Sequence, residues 1–540
     1  MMESPLDVWL LFGHATTHHA DVEVVSAGVD RPTRRSTYAE WAGRAQQLMH
    51  ALDALGVAPG GVVGSLAWNS VDHLESYFAV PATGRVLHTL NLRLSPEELA
   101  FVVDDGGDET ILADPDLLPL LVKARDIGGL RAVKSVVVFG DELPDTEAAG
   151  AGLPGLVTSA ELLAGRPTVY ERRAIDEQSP LGICHTSGTT GRPKGVVYTH
   201  RSTVLHSLVA ATGAGFSLGP SDCVLPIVPM FHANAWGLPY AATAVGAKQV
   251  FLAGSLDAAF LLDLLAAEQI TVAAGVPTVW LELVDELERR DARLPALRHV
   301  VSGGAQPPRA LIRRLRERGV ALLQAWGMTE TSPLASVAWP KHAMRGWDAE
   351  QVLDEASCQA GLPLPTVDLA IRDDEGNDLD WDGDAMGPLL VRGPYVADRY
   401  LHDREAERFD GGWFATGDVA VGTPRGYFRI ADRTKDLIKS GGEWISSVDM
   451  EAALMALPQV AEAAVIAVPD PKWQERPLAC VVLRAGADLD VEAMRAHLIA
   501  AGFAKWQLPD RVELVTAIPR TSVGKFDKKA LRAQFAEVTA

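Results

Sequence analysis

The chain has 540 residues, of which 48% are hydrophobic and 22% charged, as in a globular protein with a large buried core. Because a single core rarely serves more than about 250–300 residues, two or more domains are expected. The formal net charge of −21 argues against nucleic acid or an anionic membrane surface as a general partner. It does not exclude an anionic ligand, because a local group of Arg and Lys reverses the field inside a cleft.

The cysteines and the N-terminus favour a cytoplasmic protein. Cys184, Cys223, Cys358 and Cys480 are scattered, with no pair at metal-ligand spacing, which is typical of free buried thiols in a reducing compartment. Residues 1–8 lack the basic start and apolar stretch of a signal peptide. No uninterrupted apolar run approaches the roughly 20 residues that a membrane helix needs.

From about Tyr38 to Trp326, short β-rich runs alternate with amphipathic stretches, which predicts α/β layers with mostly parallel sheets. The predicted strands include Val62–Ala67, Gln249–Leu252, Ile270–Ala274 and His299–Ser302. Residues Pro308–Arg318 have helical periodicity, with proline at the start and Gly319 after the end. Between Asp368 and Ile430 the pattern becomes strand, turn, strand, which predicts an antiparallel or barrel-like subdomain.

The last hundred residues predict a separate small α+β unit. Its predicted helices are Ser447–Leu457, Val491–Ala501 and Lys528–Phe535, and its predicted strands are Ala463–Val468, Leu478–Leu483 and Val512–Ala517. The short charged segment 432–437 joins this unit to the large body, and we expect it to act as a hinge. The predicted domains are therefore 1–431 and a mobile domain 438–540, on either side of that hinge.

Residues Thr186–Gly195 form a glycine- and hydroxyl-rich stretch that ends with Arg192 and Lys194 close to its final glycine. Such a loop can wrap backbone N–H groups and hydroxyls around phosphate oxygens, with a cation adding charge. The run Leu181–Cys184 predicts a short strand feeding it. No Gly-Lys-Ser or Gly-Lys-Thr closes it at Walker A spacing. An ordinary turn is the alternative for the loop taken alone.

Six further segments follow the loop in order. They are Pro229–Trp236, Ser302–Pro308, Gln324–Thr331, Trp413–Asp418, Asp432–Trp444 and Pro519–Lys528. Over nearly the full length this ordered set resembles the adenylate-forming superfamily of acyl-CoA synthetases, luciferases and peptide-synthetase adenylation domains. Trp236 and the run Lys439–Ser447 are most similar to bacterial medium- and long-chain fatty-acyl-CoA synthetases. The resemblance implies the superfamily's fold, with a large N-terminal domain of layered α/β sheets plus a barrel-like subdomain, and a small mobile α+β C-terminal domain.

The resemblance also implies the reaction, an acid–thiol ligation. A carboxylic acid and ATP form an acyl adenylate and pyrophosphate, and the thiol of coenzyme A then displaces AMP. The implied cofactors are ATP, Mg²⁺ and CoA, the implied acid is a medium- or long-chain fatty acid, and a homodimer is expected. Three alternatives stay open: a CoA ligase for a short acid such as 3-methylthiopropionate, a ligase that loads a carrier-protein thiol, and a nucleotide-binding regulator without chemistry.

By this resemblance, Lys525 bridges the acyl carboxylate and the α-phosphate as the main catalytic cation, although a lone lysine in a charged tail is more often solvated. Glu330 is the Mg²⁺ carboxylate and Thr329 meets a phosphate. Asp418 accepts hydrogen bonds from the ribose hydroxyls and Arg433 also holds the ribose. The remaining nucleotide residues are Thr186, Ser187, Gly188, Thr189, Thr190 and Lys194 at the phosphates, and Gly304, Ala305, Gln306, Trp326, Gly327 and Met328 around the adenine, where Trp326 stands in place of the commoner Tyr.

The resemblance further assigns the acyl, CoA and hinge residues. His232 shapes the site beside the acyl carboxylate, and Gly303 is a further substrate residue. Trp236 is an aromatic gate that closes a fatty-acyl tunnel until ATP binds; a core role is the alternative for the His232 and Trp236 side chains. The hinge residues are Asp432 and Lys435, and the predicted CoA contacts are Lys439 and Trp444. Two departures from the family pattern are His185 and Asp398–Tyr400, neither of which is expected to touch a catalytic position.

Overall fold

The computed structural model describes residues 2–143, 152–186, 192–373, 375–440, 443–520 and 526–536. The strands within these ranges are β1 Glu23–Gly28, β2 Arg31–Thr37, β3 Val62–Leu66, β4 Val86–Thr89, β5 Asp108–Ala113, β6 Ser135–Val138, β7 Val157–Thr158, β8 Pro180–His185, β9 Gly195–Thr199, β10 Cys223–Pro226, β11 Lys248–Leu252, β12 Val272–Gly275, β13 His299–Ser302, β14 Ala321–Gly327, β15 Leu334–Val337, β16 Leu362–Pro363, β17 Asp368–Ile371, β18 Met386–Arg392, β19 Phe414–Gly422, β20 Phe428–Arg433, β21 Ile438–Ser440, β22 Glu443–Ile445, β23 Val460–Asp470, β24 Gln474–Leu483 and β25 Arg511–Leu514.

The helices in the same ranges are α1 Trp9–His18, α2 Tyr38–Ala54, α3 Val71–Ala79, α4 Pro96–Gly106, α5 Leu118–Asp126, α6 Ser159–Leu163, α7 His200–Ala211, α8 Ala233–Trp236, α9 Leu238–Val245, α10 Ala258–Ala267, α11 Pro277–Arg289, α12 Arg309–Glu317, α13 Ala349–Val352, α14 Ser447–Met455, α15 Val491–Ala500 and α16 Lys528–Ala536. Local sequence explains several starts. Ser95 and Glu98 form a capping box before α4, with Pro96 at the first helical position.

Two large sheets build the N-terminal body. One has the order β7-β6-β5-β3-β4-β8-β9 and is parallel except for the β8–β9 pair. The other has the order β16-β15-β14-β13-β12-β10-β11-β1-β2, and its central strands from β14 to β1 are parallel. In such sheets ligands bind beyond the carboxyl ends of the strands. The segments that follow β8, β10, β13 and β14 are the predicted site motifs.

The apolar cores lie between these sheets and their helices. Trp41 on α2 and Phe78 on α3 are fully buried in one cluster, and Leu283 on α11 and Leu311 on α12 are fully buried in another, against the nine-stranded sheet. No helix among the described residues combines the length and the hydropathy needed to cross a membrane. All four cysteines are free and buried.

Two smaller units complete the chain. Strands β17 to β20 form an antiparallel sheet, so the predicted antiparallel subdomain is confirmed. The C-terminal unit is a sheet of β22-β21-β24-β23, with β25 beside β24, packed against α14, α15 and α16. Its predicted helices and strands are all present within a few residues of the predicted bounds. The short β21–β22 hairpin was not predicted.

Candidate active site

The predicted phosphate loop lies between β8 and β9, and its two ends are hydrogen-bonded to each other. The Thr186 N–H donates to the carbonyl of Lys194 at 2.9 Å, and the Lys194 N–H donates to Thr186 Oγ1 at 3.3 Å. The predicted strand before the loop is confirmed as β8. The predicted phosphate ligands Ser187, Gly188, Thr189 and Thr190 lie outside the described residues.

Lys194, at the end of the loop, has an anionic partner in this structure. Its ammonium group forms an ion pair with Glu405 Oε1 and lies 5.3 Å from the centre of the Tyr400 ring. The Lys194 side chain is only 14% exposed. A cation in this position is available to a phosphate that replaces or joins Glu405.

Glu330 is buried, with 4% of its surface exposed, and is held by Tyr400. The Tyr400 hydroxyl donates to Glu330 Oε1, and Arg408 Nη1 donates to that hydroxyl at 3.1 Å. Burial, together with the adjacent Glu330 carboxylate, raises the pKa of Tyr400. The expectation that the segment Asp398–Tyr400 avoids the predicted catalytic residues is therefore wrong. The Thr329 carbonyl accepts from Tyr198 Oη at 2.8 Å.

A second buried carboxylate, Asp418, lies between Trp326 and Arg433. The Trp326 indole N–H donates to Asp418 Oδ2 at 2.9 Å, and Arg433 Nε lies 2.6 Å from Oδ1. Asp418 and Arg433 face each other across β19 and β20, which explains their contact. The Asp418 carboxylate raises the pKa of Arg433, and the Glu330 carboxylate adds to this. Both carboxylates therefore stabilise the charge of the same guanidinium group.

The tryptophan at position 326 therefore contributes a hydrogen-bond donor as well as a ring. Its ring meets Phe428 edge to face, with centroids 5.6 Å apart. Gly327, which follows it, has no space for a side chain, because a Cβ there would lie 1.8 Å from the Pro333 carbonyl oxygen. The sequence predicted a stacking surface at Trp326 but not its bond to Asp418.

The segment after β13 forms the third side of this region. Gly304 has a φ of 80°, a left-handed conformation that glycine adopts readily, and Gln306 Nε2 donates to the Cys358 carbonyl at 3.4 Å. Gly304 and Ala305 are exposed. Small exposed residues at the end of a parallel strand leave room for a flat ligand beside the backbone.

The Trp236 side chain is buried and covers Gly303. A Cβ on Gly303 would lie 3.0 Å from Trp236 Cη2, so the indole edge occupies the space that a side chain would need. Residues Ala233–Trp236 have φ values of 44°, 54°, 48° and 59°, so four successive residues other than glycine are left-handed. His232 begins this turn, and its carbonyl accepts from the Ala235 N–H at 3.1 Å.

His185, the residue before the loop, belongs to a buried polar chain. His88 links Asp108, at 2.8 Å, to His185, at 2.9 Å, and His185 Nε2 lies 3.1 Å from Asp105 Oδ2. Arg404 also donates to Asp105, at 2.9 Å. Burial lowers the pKa of His185 to about 4. The chain connects the loop strand to α4 and to the segment that carries Glu405.

The predicted hinge residue Asp432 is buried and bonded to the C-terminal unit. Its Oδ2 accepts from both the N–H and the hydroxyl of Ser447, each at 2.6 Å. Lys435 lies in the exposed turn between β20 and β21. The predicted CoA contacts Lys439 and Trp444 face each other in the β21–β22 hairpin, with Lys439 Nζ 5.2 Å from the Trp444 ring. Lys525 lies outside the described residues.

Comparison with known proteins agrees with this arrangement. The profile of the AMP-binding enzyme family matches residues 12–401, and that of the AMP-binding enzyme C-terminal domain matches residues 449–525. The chain is 47% identical over 538 residues to a long-chain-fatty-acid–CoA ligase of Thermus thermophilus, covering 99% of this chain and 96% of the relative. It is 42% identical to a 3-methylmercaptopropionyl-CoA ligase of Ruegeria lacuscaerulensis, covering 99% and 98%.

A solved structure has the same architecture. The anthranilate CoA ligase AuaEII in complex with anthranoyl-AMP superposes with a TM-score of 0.86 at 26% identity, covering 99% of this chain and 98% of that one. The chain belongs to the AMP-binding enzyme family. The predicted superfamily and its fold are confirmed.

Proposed function

We propose that this enzyme is an AMP-forming acyl-CoA synthetase whose acid is a medium- or long-chain fatty acid. The observation that carries the nucleotide half of the proposal is the Trp326–Asp418–Arg433 cluster beside buried Glu330. An aromatic face, a carboxylate and a guanidinium suit the adenine and ribose of ATP. The chain's similarity to fatty-acid–CoA ligases over its whole length supports the acid and thiol.

The proposed chemistry has two displacements on one acyl group. The acyl carboxylate attacks the α-phosphorus of ATP, an O–P bond forms, and the bond to pyrophosphate breaks. Lys525 and Lys194 would offset the negative charge there, which is the largest contribution expected for phosphoryl transfer. The CoA thiolate then attacks the acyl carbon and AMP leaves. The hinge at Asp432 and Lys435 would exchange the domain faces between these steps.

Glu330 suits a single-carboxylate Mg²⁺ site. It is buried, its Oε1 is fixed by Tyr400, and the described residues contain no group of three or more His, Cys, Asp or Glu that could hold a metal ion alone. Mg²⁺ bound to ATP needs only one or two protein carboxylates besides the phosphates, whose charge it would offset. In this proposal Glu330 provides one carboxylate oxygen to the Mg²⁺ that accompanies ATP.

Trp236 is the proposed acyl gate. The support is its position, because the buried indole covers Gly303 and Trp236 follows four residues after His232, which the resemblance places beside the acyl carboxylate. The rival acid is 3-methylthiopropionate, since the Ruegeria relative acts on that class by its name. Comparing kcat/KM for hexanoate, laurate, palmitate and 3-methylthiopropionate separates the two. A preference for the short thioether acid contradicts the fatty-acid proposal.

The primary experiment follows pyrophosphate and AMP separately across these acids, with and without CoA. We expect pyrophosphate release to need both acid and ATP, and AMP to appear only when CoA is added. Lys525→Ala should abolish adenylation, keep ATP binding, and still convert preformed acyl adenylate to acyl-CoA. Wild-type adenylation in that variant contradicts the role of Lys525. No acyl-CoA from any acid, with acyl transfer to a carrier protein instead, supports the carrier-loading alternative.

The homodimer and the cytoplasmic location stay proposals. The free, buried state of all four cysteines supports a reducing compartment. Light scattering at several protein concentrations tests the dimer, and a constant monomer mass contradicts it.

A further inference from the structure

The segment 400–408 packs against the end of the predicted phosphate loop. Val196 of β9 forms an antiparallel β-bridge with Tyr400. A Cβ on Gly195, the last residue of the loop, would lie only 3.1 Å from the Leu401 side chain. The segment is therefore fixed to the strand that leaves the loop, close enough to place a side chain among the groups that would meet the phosphates.

An aspartate of α4 holds the same segment from the other side. Asp105 Oδ2 accepts from Arg404 Nη1 at 2.9 Å, and the Asp105 carbonyl oxygen lies 3.1 Å from His402 Nε2. His402, Asp403 and Glu405 have φ values of 63°, 51° and 49°, which residues other than glycine seldom adopt. Such a conformation persists only where the surroundings impose it, so these contacts fix the direction in which Glu405 points.

Glu405 places its carboxylate between two cations. Its Oε1 forms the ion pair with Lys194 described above, and its Oε2 lies 3.6 Å from Arg408 Nη1. The hydrogen bond from Lys194 lowers the pKa of Glu405, and the charge of Arg408 adds to this, so the group is an anion at neutral pH. The Lys194 side chain is 14% exposed and that of Glu405 is 36% exposed, so water reaches the pair mainly on the carboxylate side.

Arg408 is held where it can receive that carboxylate. Its Nη2 donates to the carbonyls of Ala415 and Thr416 at 2.7 and 2.8 Å, and its Nη1 donates to the Tyr400 hydroxyl at 3.1 Å. Because Nη1 carries two N–H groups and the Tyr400 hydroxyl accepts from one, the other can bond a carboxylate that closes the 3.6 Å gap. A rotation of the Glu405 side chain alone therefore exchanges one cation for the other.

We propose that Glu405 occupies the place of an ATP phosphate on Lys194 and yields it when the nucleotide binds, its carboxylate moving to Arg408. This inference rests on the proposed ATP-dependent function and adds Glu405 to that site as a positioning residue. A phosphate competes for the ammonium group as a charged acceptor, while Arg408 keeps the displaced carboxylate paired. When pyrophosphate leaves, Glu405 returns to Lys194. The exchange lowers the affinity for the triphosphate and for pyrophosphate alike, which favours release of that product.

Two Glu405 variants and a matched control test the exchange. Glu405→Gln removes the charge, and Glu405→Asp keeps it on a side chain that is one methylene shorter. Glu407→Gln removes the same charge from an exposed residue two positions further along the segment. Titration calorimetry gives the Kd of each full-length protein for ATP, inorganic tripolyphosphate and adenosine. Adenosine has no phosphate, so its Kd reports whether the nucleoside part of the site stays intact.

We expect the Kd for ATP and for tripolyphosphate to fall about tenfold in Glu405→Gln, because Lys194 then has no charged competitor. This is the lower end of what a hydrogen bond to a charged group contributes, as suits a pair that water partly reaches. Glu405→Asp should show a smaller fall, and Glu407→Gln should resemble wild type. The Ki of pyrophosphate as a product inhibitor should fall with these Kd values, whereas the Kd for adenosine should be the same in every variant.

Several results overturn the proposal. Unchanged Kd values for ATP and tripolyphosphate in Glu405→Gln show that the carboxylate does not compete, and weaker binding shows that it supports the site instead. An equal gain in Glu407→Gln attributes the effect to net charge rather than to the contact with Lys194, and an equal gain for adenosine locates it at the nucleoside. If wild-type enzyme binds ATP but forms no acyl-CoA from any acid, the proposed function fails, whereas the role of Glu405 is still decided by the Kd values.

Discussion

The contact between Tyr400 and Glu330 yields the sharpest prediction about catalysis. Tyr400→Phe keeps the ring, which is 1% exposed, and removes only the hydroxyl that donates to the Glu330 carboxylate. A hydrogen bond to a charged group contributes about 1.5–3 kcal/mol, and each 1.36 kcal/mol is about a factor of ten in rate. If the full contribution is realised in the transition state, kcat/KM for ATP falls by about 10- to 150-fold.

The assay is initial pyrophosphate release as a function of Mg²⁺ concentration at fixed ATP and laurate. If Glu330 is the Mg²⁺ carboxylate, as proposed, Tyr400 acts through it, and we expect the loss to be largest at low Mg²⁺ and to shrink as Mg²⁺ rises. Tyr427→Phe is the control, since Tyr427 is also fully buried and donates to the Trp339 carbonyl at 2.7 Å. Identical rates and Mg²⁺ profiles for the two variants would refute the positioning role of Tyr400.

Three further predictions concern the nucleotide, the gate and acid stability. Trp326→Phe keeps a ring but loses the N–H donor to Asp418, so the Kd for ATP should rise about tenfold. Titration calorimetry with ATP measures this Kd, and an unchanged value contradicts a role for the indole in the proposed ribose site. Trp236→Ala removes the proposed gate, so laurate should bind to the variant in the absence of ATP, and titration calorimetry detects this binding. If the variant only melts at a lower temperature and does not bind laurate, Trp236 is a core residue and not a gate. Burial lowers the pKa of His206 to about 3, and four further buried histidines (His73, His185, His200 and His299) to about 4. Below the ordinary pKa of about 6.5 the unfolded chain then binds more protons than the native one, so stability falls as pH drops from about 6.5 to 4, by about 1.4 kcal/mol per pH unit for each histidine. Urea unfolding measures the free energy of unfolding at each pH in this range. The slope of that free energy against pH should be smaller by about one proton in His206→Gln than in wild type. An equal slope contradicts the lowered pKa of His206.

Local patterns predicted the regular elements well and the contacts between them less well. Strand β13 has its predicted bounds, because a β-branched run ends at two glycines, and α12 lies between the proline and glycine that mark its ends. The β21–β22 hairpin escaped prediction, because strands of three residues carry no period. Tyr400 and Glu330 are 70 positions apart, and so no local pattern reports their pairing.

The ordered motifs predicted Trp326, Asp418 and Arg433 as nucleotide residues, and these three do lie together. What the motifs left out is how the side chains satisfy one another. Asp418 contacts both Trp326 and Arg433, and Lys194 is paired with Glu405. Such side-chain contacts depend on which strands and loops become neighbours in the folded protein, and no local sequence pattern contains that information.

In the left-handed turn Ala233–Trp236, a change from alanine to glycine should have the opposite effect on stability from the one it has in an ordinary helix. A left-handed residue other than glycine costs roughly 1–2 kcal/mol, so a run of four holds several kcal/mol against the packing of the indole. Replacing an alanine of this turn by glycine would relieve part of that cost and favour the covered state of Gly303, where the same change in an ordinary helix weakens it. The backbone at Ala233 and Ala235 thus offers a way to tune access to the proposed acyl site while Trp236 and His232 stay unchanged.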